Sequence, residues 1–300
     1  MKSLITALLP CLLPPLAAAE FWASGVSTEQ GWYDANKSFT PEDADREMCW
    51  AASAANIIDW WQREHADIMA KSGVDPSLKE PDAVWHLLRD SFEDAPGNAF
   101  YGMEWYFLDL FPVPEPPLTE YGKEGRGGYY RHAVMDDVLT TEEGLSLIPQ
   151  PITMADEGVD AQVLALKLRD VLESGRPLSL ILGGDETVHA ATLWGGVFDD
   201  ATGMPITLYL TDSDDDALRT AFQVPQIFSA NVALIEATLP DALDPTPVLG
   251  ITSFIVDDLP WYGDDMYILG ASFLGFPYPV PEPTTLPLLA LAALAARRRR

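Results

Sequence analysis

The stretch MCWAASAANIIDWW, residues 48–61, begins a run that continues to residue 70 without Gly or Pro. Its large apolar side chains include Ile57, Ile58, Trp60, Trp61, Ile68 and Met69. This spacing predicts one long amphipathic helix over residues 48–70. Acidic residues precede the run, as is typical of a helix N-terminus. The sequence therefore predicts that Cys49 lies in the first turn of a helix.

Along the rest of the chain, helical patterns lie mostly before strand patterns. Further helices are predicted over residues 81–92 and 160–174, and the Pro- and Gly-rich residues 94–130 predict loops with short elements. The predicted strands cover residues 178–182, 188–198, 206–211, 232–237 and 248–256. Residues 199–203 have the composition of a hairpin turn. This order predicts an α+β fold with a mainly antiparallel sheet rather than alternating βαβ units.

Both ends of the chain carry the pattern of sorting signals. Residues 1–19 have a basic start, an apolar run and three final alanines, the pattern of a cleavable secretory leader. At the other end, Pro-Glu-Pro at residues 281–283 is followed by an apolar run and by four arginines at residues 297–300, which resembles a PEP-CTERM sorting tail. The working domain is therefore predicted over residues 20–275, and a Pro-rich linker with the sorting signal over residues 276–300.

The resemblance of the tail to PEP-CTERM signals also implies a location and a partner. It implies export, processing by an exosortase-type sorting machinery, and transient membrane contact through the tail. We therefore expect the protein in the periplasm, cell envelope or extracellular matrix of a Gram-negative bacterium.

The chain is strongly acidic. It has 18 Lys and Arg residues against 46 Asp and Glu residues, a formal net charge of −28. Because binding to phosphate needs clustered cations, this balance argues against a nucleic-acid partner and against an electrostatic attachment to anionic lipid.

Cysteine usage excludes two further kinds of site. Cys11 lies in the predicted leader, so Cys49 is the single thiol of the remaining chain. One thiol can form neither an intramolecular disulfide nor a Cys-rich zinc site. We expect no cofactor and no metal.

A single thiol at the beginning of a helix has a chemical use. The N–H groups and the partial positive charge of a helix N-terminus favour a thiolate, and the same N–H groups can bind a developing oxyanion. A thiolate nucleophile also needs a proton-carrying partner, usually His, and a group that orients it. We interpret His65 and His86, on predicted helices, as structural or surface residues, and His132, in a loop, as a weaker candidate.

His189 is the strongest candidate for that partner. It lies at the start of the second predicted strand, and Asp212 follows the end of the third. Antiparallel pairing brings the end of one strand beside the start of the other, so Asp212 is predicted to orient His189. Spacing alone also leaves open an inert buried Cys, a core His, and a solvated turn or calcium loop at residues 212–216. That acidic run lacks the Gly and terminal Glu of an EF-hand loop.

Several blocks of the sequence resemble, in the same order, the IdeS/Mac family of immunoglobulin-degrading cysteine peptidases. The blocks are Trp22 with Gly25-Val26, QGWYDANKSF at residues 30–39, residues 48–61, Arg126-Gly127-Gly128, and the stretch from His189 through Trp194-Gly195 to Asp214. The resemblance implies a papain-like fold in which a helix that carries Cys packs on a sheet that carries His and Asp.

The resemblance also implies a role for each matching residue. Cys49 would be the nucleophile, and His189 the general base and then the general acid. Asp212 would orient the imidazole, and Asp214 matches a second acidic position that supports the site. Lys37 matches a lysine that assists the oxyanion.

The sequence departs from the family in two intervals, in the residue after Cys49 and in its middle loops. The interval from Lys37 to Cys49 is two residues longer than expected, and the segment between Val26 and Gln30 is much shorter. Trp50 stands where the family has Gly, and we expect it to narrow the cleft. The chemistry therefore transfers better than the antibody substrate does.

These features predict an exported cysteine endopeptidase that cleaves protein or peptide substrates by acyl transfer through a thioester. Two alternatives remain at this point. One is a non-catalytic binding module of the envelope or matrix that reuses a peptidase fold. The other is a related amidase or transamidase.

Overall fold

Helices occupy mainly the first half of the chain and strands mainly the second. The computed structural model describes residues 18–35, 37, 45–80, 82–109, 127–153, 160–183, 188–213, 227–237, 246–254 and 266–275. The α-helices of these residues are α1 (Cys49–Glu64), α2 (Ala66–Ser72), α3 (Ala83–Ser91), α4 (Ala99–Phe107), α5 (Arg131–Met135), α6 (Thr141–Leu145) and α7 (Ala161–Glu173). Their strands are β1 (Ala18–Trp22), β2 (Pro149–Thr153), β3 (Leu178–Gly183), β4 (Val188–Asp199), β5 (Pro205–Thr211), β6 (Phe228–Ala237), β7 (Thr246–Phe254) and β8 (Tyr267–Leu274).

The strands form an antiparallel sheet that closes on itself. The pairing order is β1-β4-β3-β8-β7-β6-β5, β2 adds to β8, and a further β4–β5 pairing joins the last strand to the second. Strands β3 to β8 therefore form a barrel, which leaves fewer open sheet edges. Mixed helix and antiparallel sheet confirms the broad fold class predicted from the sequence.

The hairpin that joins β4 to β5 turns where the sequence predicts it. The Asp199 N–H donates to the Met204 carbonyl at 2.9 Å, and the Gly203 N–H donates to the Asp199 carbonyl at 2.8 Å. Gly203 has a φ of +72°, a value that glycine adopts without steric cost. The turn begins the β4–β5 pairing, and after register shifts between Phe198 and Val197 and between Gly195 and Leu193 this pairing places Thr192 opposite Thr211.

Helix α1 is the central element of the helical half. Twelve of its 16 residues are buried, and it contacts α3, α4 and β4. Its alanines allow close approach: a Cβ added at Gly102 of α4 would lie 3.1 Å from the Cβ of Ala54. On its other side α1 packs against β4, where Ser53, one helical turn after Cys49, lies 3.0 Å from Thr192.

The prediction of one helix over residues 48–70 is wrong at His65. This residue has φ −117° and ψ 43°, and it ends α1 and begins α2. Its N–H still donates to the Trp61 carbonyl at 2.8 Å, and its ring lies 4.9 Å from that of Trp61. Packing of the His65 ring on the tryptophan accompanies the break, which the apolar spacing of the sequence does not reveal.

Several other elements differ from the expectation. Residues 94–130 include a nine-residue helix, α4, with seven buried residues, and strands β1, β2 and β8 were not predicted. Strand β1 begins at Ala18, inside the predicted leader. Residues 1–17, most of the predicted leader, and residues 276–300, the predicted linker and sorting signal, lie outside the described residues. Among the described helices, none is long and apolar enough to cross a membrane.

Two glycines with positive φ test how tightly the N-terminal segment packs. Gly31 has a φ of +87°, and a Cβ there would overlap the carbonyl oxygen of Gly25, whereas Gly73 has a φ of +66° and open space around it. We expect Gly73→Ala to cost about 1 kcal/mol of unfolding free energy through backbone strain alone. Gly31→Ala adds a backbone clash and should cost at least about 2 kcal/mol more. Urea unfolding of both variants measures the difference, and equal losses would contradict the packing described for Gly31.

Candidate active site

Cys49 is the first residue of α1. Met48 is the N-cap and provides no side-chain cap, while its carbonyl accepts from the N–H groups of Ala51 and Ala52. The first N–H groups of a helix have no acceptor within the helix. The N-terminus of α1, where Cys49 lies, therefore carries a partial positive charge. The thiol is free and partly exposed. Cys49 therefore lies where the N-terminus of α1 meets the partly exposed surface.

The residues before and after Cys49 are held by the loop that follows α3. The Glu47 N–H donates to Asp94 Oδ1 at 2.6 Å, and Trp50 Nε1 donates to the Ala95 carbonyl at 2.9 Å. A Cβ at Gly97 would lie 2.5 Å from the Trp50 ring. Trp50 is buried in the core, so the expectation that it narrows the cleft is wrong, and the side chain instead anchors this loop beside the thiol.

His189 and Asp212 lie together at one end of the sheet. His189 is the second residue of β4, and Asp212 directly follows β5. Their side chains meet through His189 Nε2 and Asp212 Oδ1 at 3.0 Å, and they are 14% and 2% exposed. His189 also has a side-chain hydrogen bond with Cys49. The antiparallel pairing of β4 and β5 thus brings His189 beside Asp212, and the packing of α1 against β4 adds Cys49.

The surroundings of His189 favour its charged form. Burial by itself lowers the pKa of the imidazole, but the charge of Asp212 and its hydrogen bond oppose this effect, and the hydrogen bond and charge of Cys49 add to the opposition. The net result is a His189 pKa well above its ordinary value. His189 thus lies between the Asp212 carboxylate and the Cys49 side chain.

Buried hydrogen bonds fix Thr211, the residue before Asp212. Trp194 Nε1 donates to Thr211 Oγ1 at 2.9 Å, and this hydroxyl donates to the Tyr33 carbonyl at 3.3 Å. Thr211 directly precedes Asp212. These bonds connect β4, the end of β5 and the N-terminal segment, so the backbone that carries Asp212 is fixed on both sides.

Lys37 is buried, with 1% of its surface exposed. The backbone N–H of Lys37 donates to the Ala35 carbonyl at 2.9 Å. The backbone N–H of Ala35 in turn donates to Asn56 Oδ1 on α1 at 2.8 Å. The segment that carries Lys37 is therefore bound to the helix that carries Cys49. Asp214, the second predicted acidic residue, lies outside the described residues.

The other histidines have structural contacts. His132 Nε2 lies 2.7 Å from the Ser72 carbonyl. His65 packs on Trp61, and burial lowers its pKa, although the charges of Asp67 and Glu64 partly oppose this effect. His86 is exposed on α3. None of the three joins His189 in the contacts described above.

Three polar residues near the site were not identified from the sequence. Ser53 and Asn56 of α1 and Thr192 of β4 are buried together between helix and strand. The available signal was two polar side chains, three residues apart, on an otherwise apolar helix face. Among the described residues, no group of His, Cys, Asp and Glu could hold a metal ion, and most of the acidic run considered for calcium lies outside them.

A family model described as Mac 1 matches residues 20–87. This segment includes Lys37 and the whole of α1 with Cys49, but it ends well before His189 and Asp212. The resemblance to the IdeS/Mac peptidases, inferred from the motifs, is confirmed.

A curated relative extends the match beyond this segment. An IgM protease of Streptococcus suis (strain P1/7) is 26% identical over 218 residues, an alignment that covers 62% of this chain and 18% of that protein. The chain therefore matches less than a fifth of the length of the relative. A second model, the PEP-CTERM protein-sorting motif, matches residues 279–300. Together the matches mark a peptidase-related protein with a sorting signal typical of exported Gram-negative envelope proteins.

The contact between His189 and Asp212 makes a prediction about proton binding. Replacement of Asp212 by Asn removes the charge that opposes burial, so the pKa of His189 should fall from its raised value. NMR of the imidazole signals across a pH series measures this shift. The signals of His65 provide the internal control, because its pKa depends on burial at another place. An unchanged His189 titration in Asp212→Asn would contradict the described electrostatics.

Proposed function

We propose that this chain is an exported, papain-like cysteine endopeptidase in which Cys49, His189 and Asp212 cleave peptide bonds of protein substrates. The observation that carries the proposal is the contact of His189 with both the Asp212 carboxylate and the Cys49 thiol, at the N-terminus of α1. The similarity of residues 20–87 to a peptidase family supports it.

The first half of the reaction forms a thioester. The Cys49 thiolate attacks the carbonyl carbon of the scissile peptide bond, and the electron pair of the C=O bond moves to the oxygen. His189, as imidazolium, then donates its proton to the leaving nitrogen while the C–N bond breaks and the C=O bond reforms. Asp212 stabilises the imidazolium and orients its ring.

The second half of the reaction releases the acid product. The now neutral His189 accepts a proton from water, whose oxygen attacks the thioester carbon. Collapse of the second tetrahedral intermediate breaks the C–S bond and returns the thiolate to Cys49. His189 already became imidazolium when it accepted the proton from water, so this collapse restores the thiolate–imidazolium pair for the next peptide bond.

Two groups are proposed to stabilise the oxyanion. One is the backbone N–H of Cys49, which belongs to the unpaired N–H groups of the α1 N-terminus. The other is the ammonium group of Lys37. A cation that is 1% exposed interacts with a developing negative charge more strongly than one in water, because the surrounding dielectric is lower.

The proposed substrate is a protein that the enzyme meets after export. The relative named above is an IgM protease, but this chain matches only 18% of it. The PEP-CTERM motif at residues 279–300 supports an encounter with substrate in the envelope or extracellular matrix. Asp214 is proposed as a supporting acidic residue of the same site.

Loss of either partner of the proton transfer should abolish cleavage. We expect Cys49→Ala and His189→Ala to cleave no peptide bond in a proteome-derived peptide library, while the wild-type chain produces new N-termini that mass spectrometry identifies. His86→Ala, which changes an exposed histidine on α3, should retain wild-type activity. Circular dichroism checks that all variants are folded. Wild-type cleavage by Cys49→Ala would refute the proposed nucleophile.

The oxyanion role of Lys37 predicts an effect on turnover rather than on binding. Lys37→Met keeps much of the buried volume and removes the charge, so kcat should fall about 10²- to 10³-fold while KM stays nearly constant. Lys71→Met is the control, since Lys71 is an exposed cation that pairs with Glu143 at 2.8 Å. Kinetics use a quenched peptide based on a cleavage site from the library. A change confined to KM would contradict the oxyanion role.

A further inference from the structure

Three polar side chains form a buried contact between α1 and β4. Ser53, Asn56 and Thr192 are 2%, 2% and 1% exposed. Thr192 Oγ1 lies 3.0 Å from Ser53 Oγ and accepts from Asn56 Nδ2 at 3.0 Å. We call these three residues the helix–strand clamp.

The amide of Asn56 has one possible orientation in this contact. Its Oδ1 accepts from the Ala35 N–H at 2.8 Å, and a backbone N–H can only donate. The NH₂ group must therefore face Thr192, as the structure has it. Because Asn56 bonds to both sides at once, a shift of either Ala35 or Thr192 would break a directional hydrogen bond.

Each part of the clamp is close in sequence to a residue of the proposed catalytic site. Ser53 lies one helical turn after Cys49, and Thr192 lies three residues after His189. Thr192 is also the register partner of Thr211, which precedes Asp212. On the remaining side, Ala35 is bonded to Lys37. The clamp therefore joins the three segments that carry the nucleophile, the His–Asp pair and the lysine.

Packing alone does not account for polar atoms at this place. The same side of β4 presents Ala190 and Trp194 to the core that contains α1, so apolar side chains fit this interface. Hydrogen bonds differ from apolar contacts because they fix a distance and a direction. Catalysis needs that kind of constraint, since a misplacement of about 1 Å can cost about 10²-fold in rate.

We propose that Asn56 and Thr192 are positioning residues of the peptidase reaction. They hold the Cys49 helix at a fixed distance from the His189 strand and hold the Lys37 segment to the same helix. Neither residue contacts the reacting atoms. This inference rests on the proposed function, because it assigns the clamp a role in the same site.

The test compares variants of the clamp in the full chain. Thr192→Val removes the hydroxyl and keeps the shape, Thr192→Ser keeps the hydroxyl, and Asn56→Ala removes the amide. Thr207→Val is the matched control, since Thr207 Oγ1 donates to Asn231 Oδ1 at 3.2 Å in another hydroxyl–amide contact, between β5 and β6. The measurements are kcat, KM, the pH profile of kcat and the thermal midpoint.

A positioning role predicts a pattern that a structural role does not. At an assay temperature well below their thermal midpoints, Thr192→Val and Asn56→Ala should lower kcat about 10- to 100-fold. Their KM should change less than about twofold. Thr192→Ser should recover most of kcat. The alkaline limb of the kcat profile should move to lower pH in the two disrupting variants, because the contacts of His189 with Asp212 and Cys49 that raise its pKa become weaker. Thr207→Val should keep the wild-type kcat and pH profile.

The outcomes separate this inference from the proposed function. If the wild-type chain shows no cleavage, or only cleavage that persists in Cys49→Ala, both the proposed function and this inference are overturned. A wild-type chain that cleaves, with Thr192→Val equal to Thr207→Val in kcat and pH profile, overturns the inference alone. If Asn56→Ala does not fold, the comparison of Thr192→Val with Thr192→Ser decides the question, because both preserve the backbone and nearly the same volume.

Discussion

The antiparallel register of β4 against β5 is the constraint on which the rest of the site depends. Thr192 pairs with Thr211, and this single alignment closes the barrel, sets Asp212 beside His189, and turns Thr192 towards Asn56 of α1. A shift by one residue would turn the side chains of one strand to the opposite face. The same shift would separate the carboxylate from the imidazole, so the fold and the candidate site share one geometric requirement.

The helical half carries the Cys49 thiol and the packing contacts that hold the first turn of α1 in place. Helix α1 is almost entirely buried, and its alanines let α4 and β4 approach closely. Trp50 then holds the loop of residues 94–97 against the N-terminus of α1, through its bond to Ala95. The first turn of α1 is thus anchored on the core side through Trp50 and partly exposed at Cys49.

Local patterns in the sequence predict some of these features and not others. The hairpin at residues 199–203 and the proximity of His189 and Asp212 follow from turn composition and antiparallel geometry, which act over short distances. Helix α4 and strand β8 are buried on nearly every side, so neither shows the alternation or helical period that a pattern detects. The bond of Asn56 to Thr192 spans 136 residues, and no spacing along the chain reveals such a partner.

Folding and the proposed chemistry favour the same protonation state of His189. Its pKa in the folded chain is raised well above the ordinary value by Asp212 and Cys49, against the effect of burial. A raised folded pKa contributes stability that is fully present below the unfolded value of about 6.5 and is lost as the pH rises through the folded pKa. The imidazolium is therefore the form that stabilises the fold, and it is also the form that the proposed mechanism requires to protonate the leaving nitrogen. The contact between His189 and Asp212 would then serve both folding and the proposed reaction.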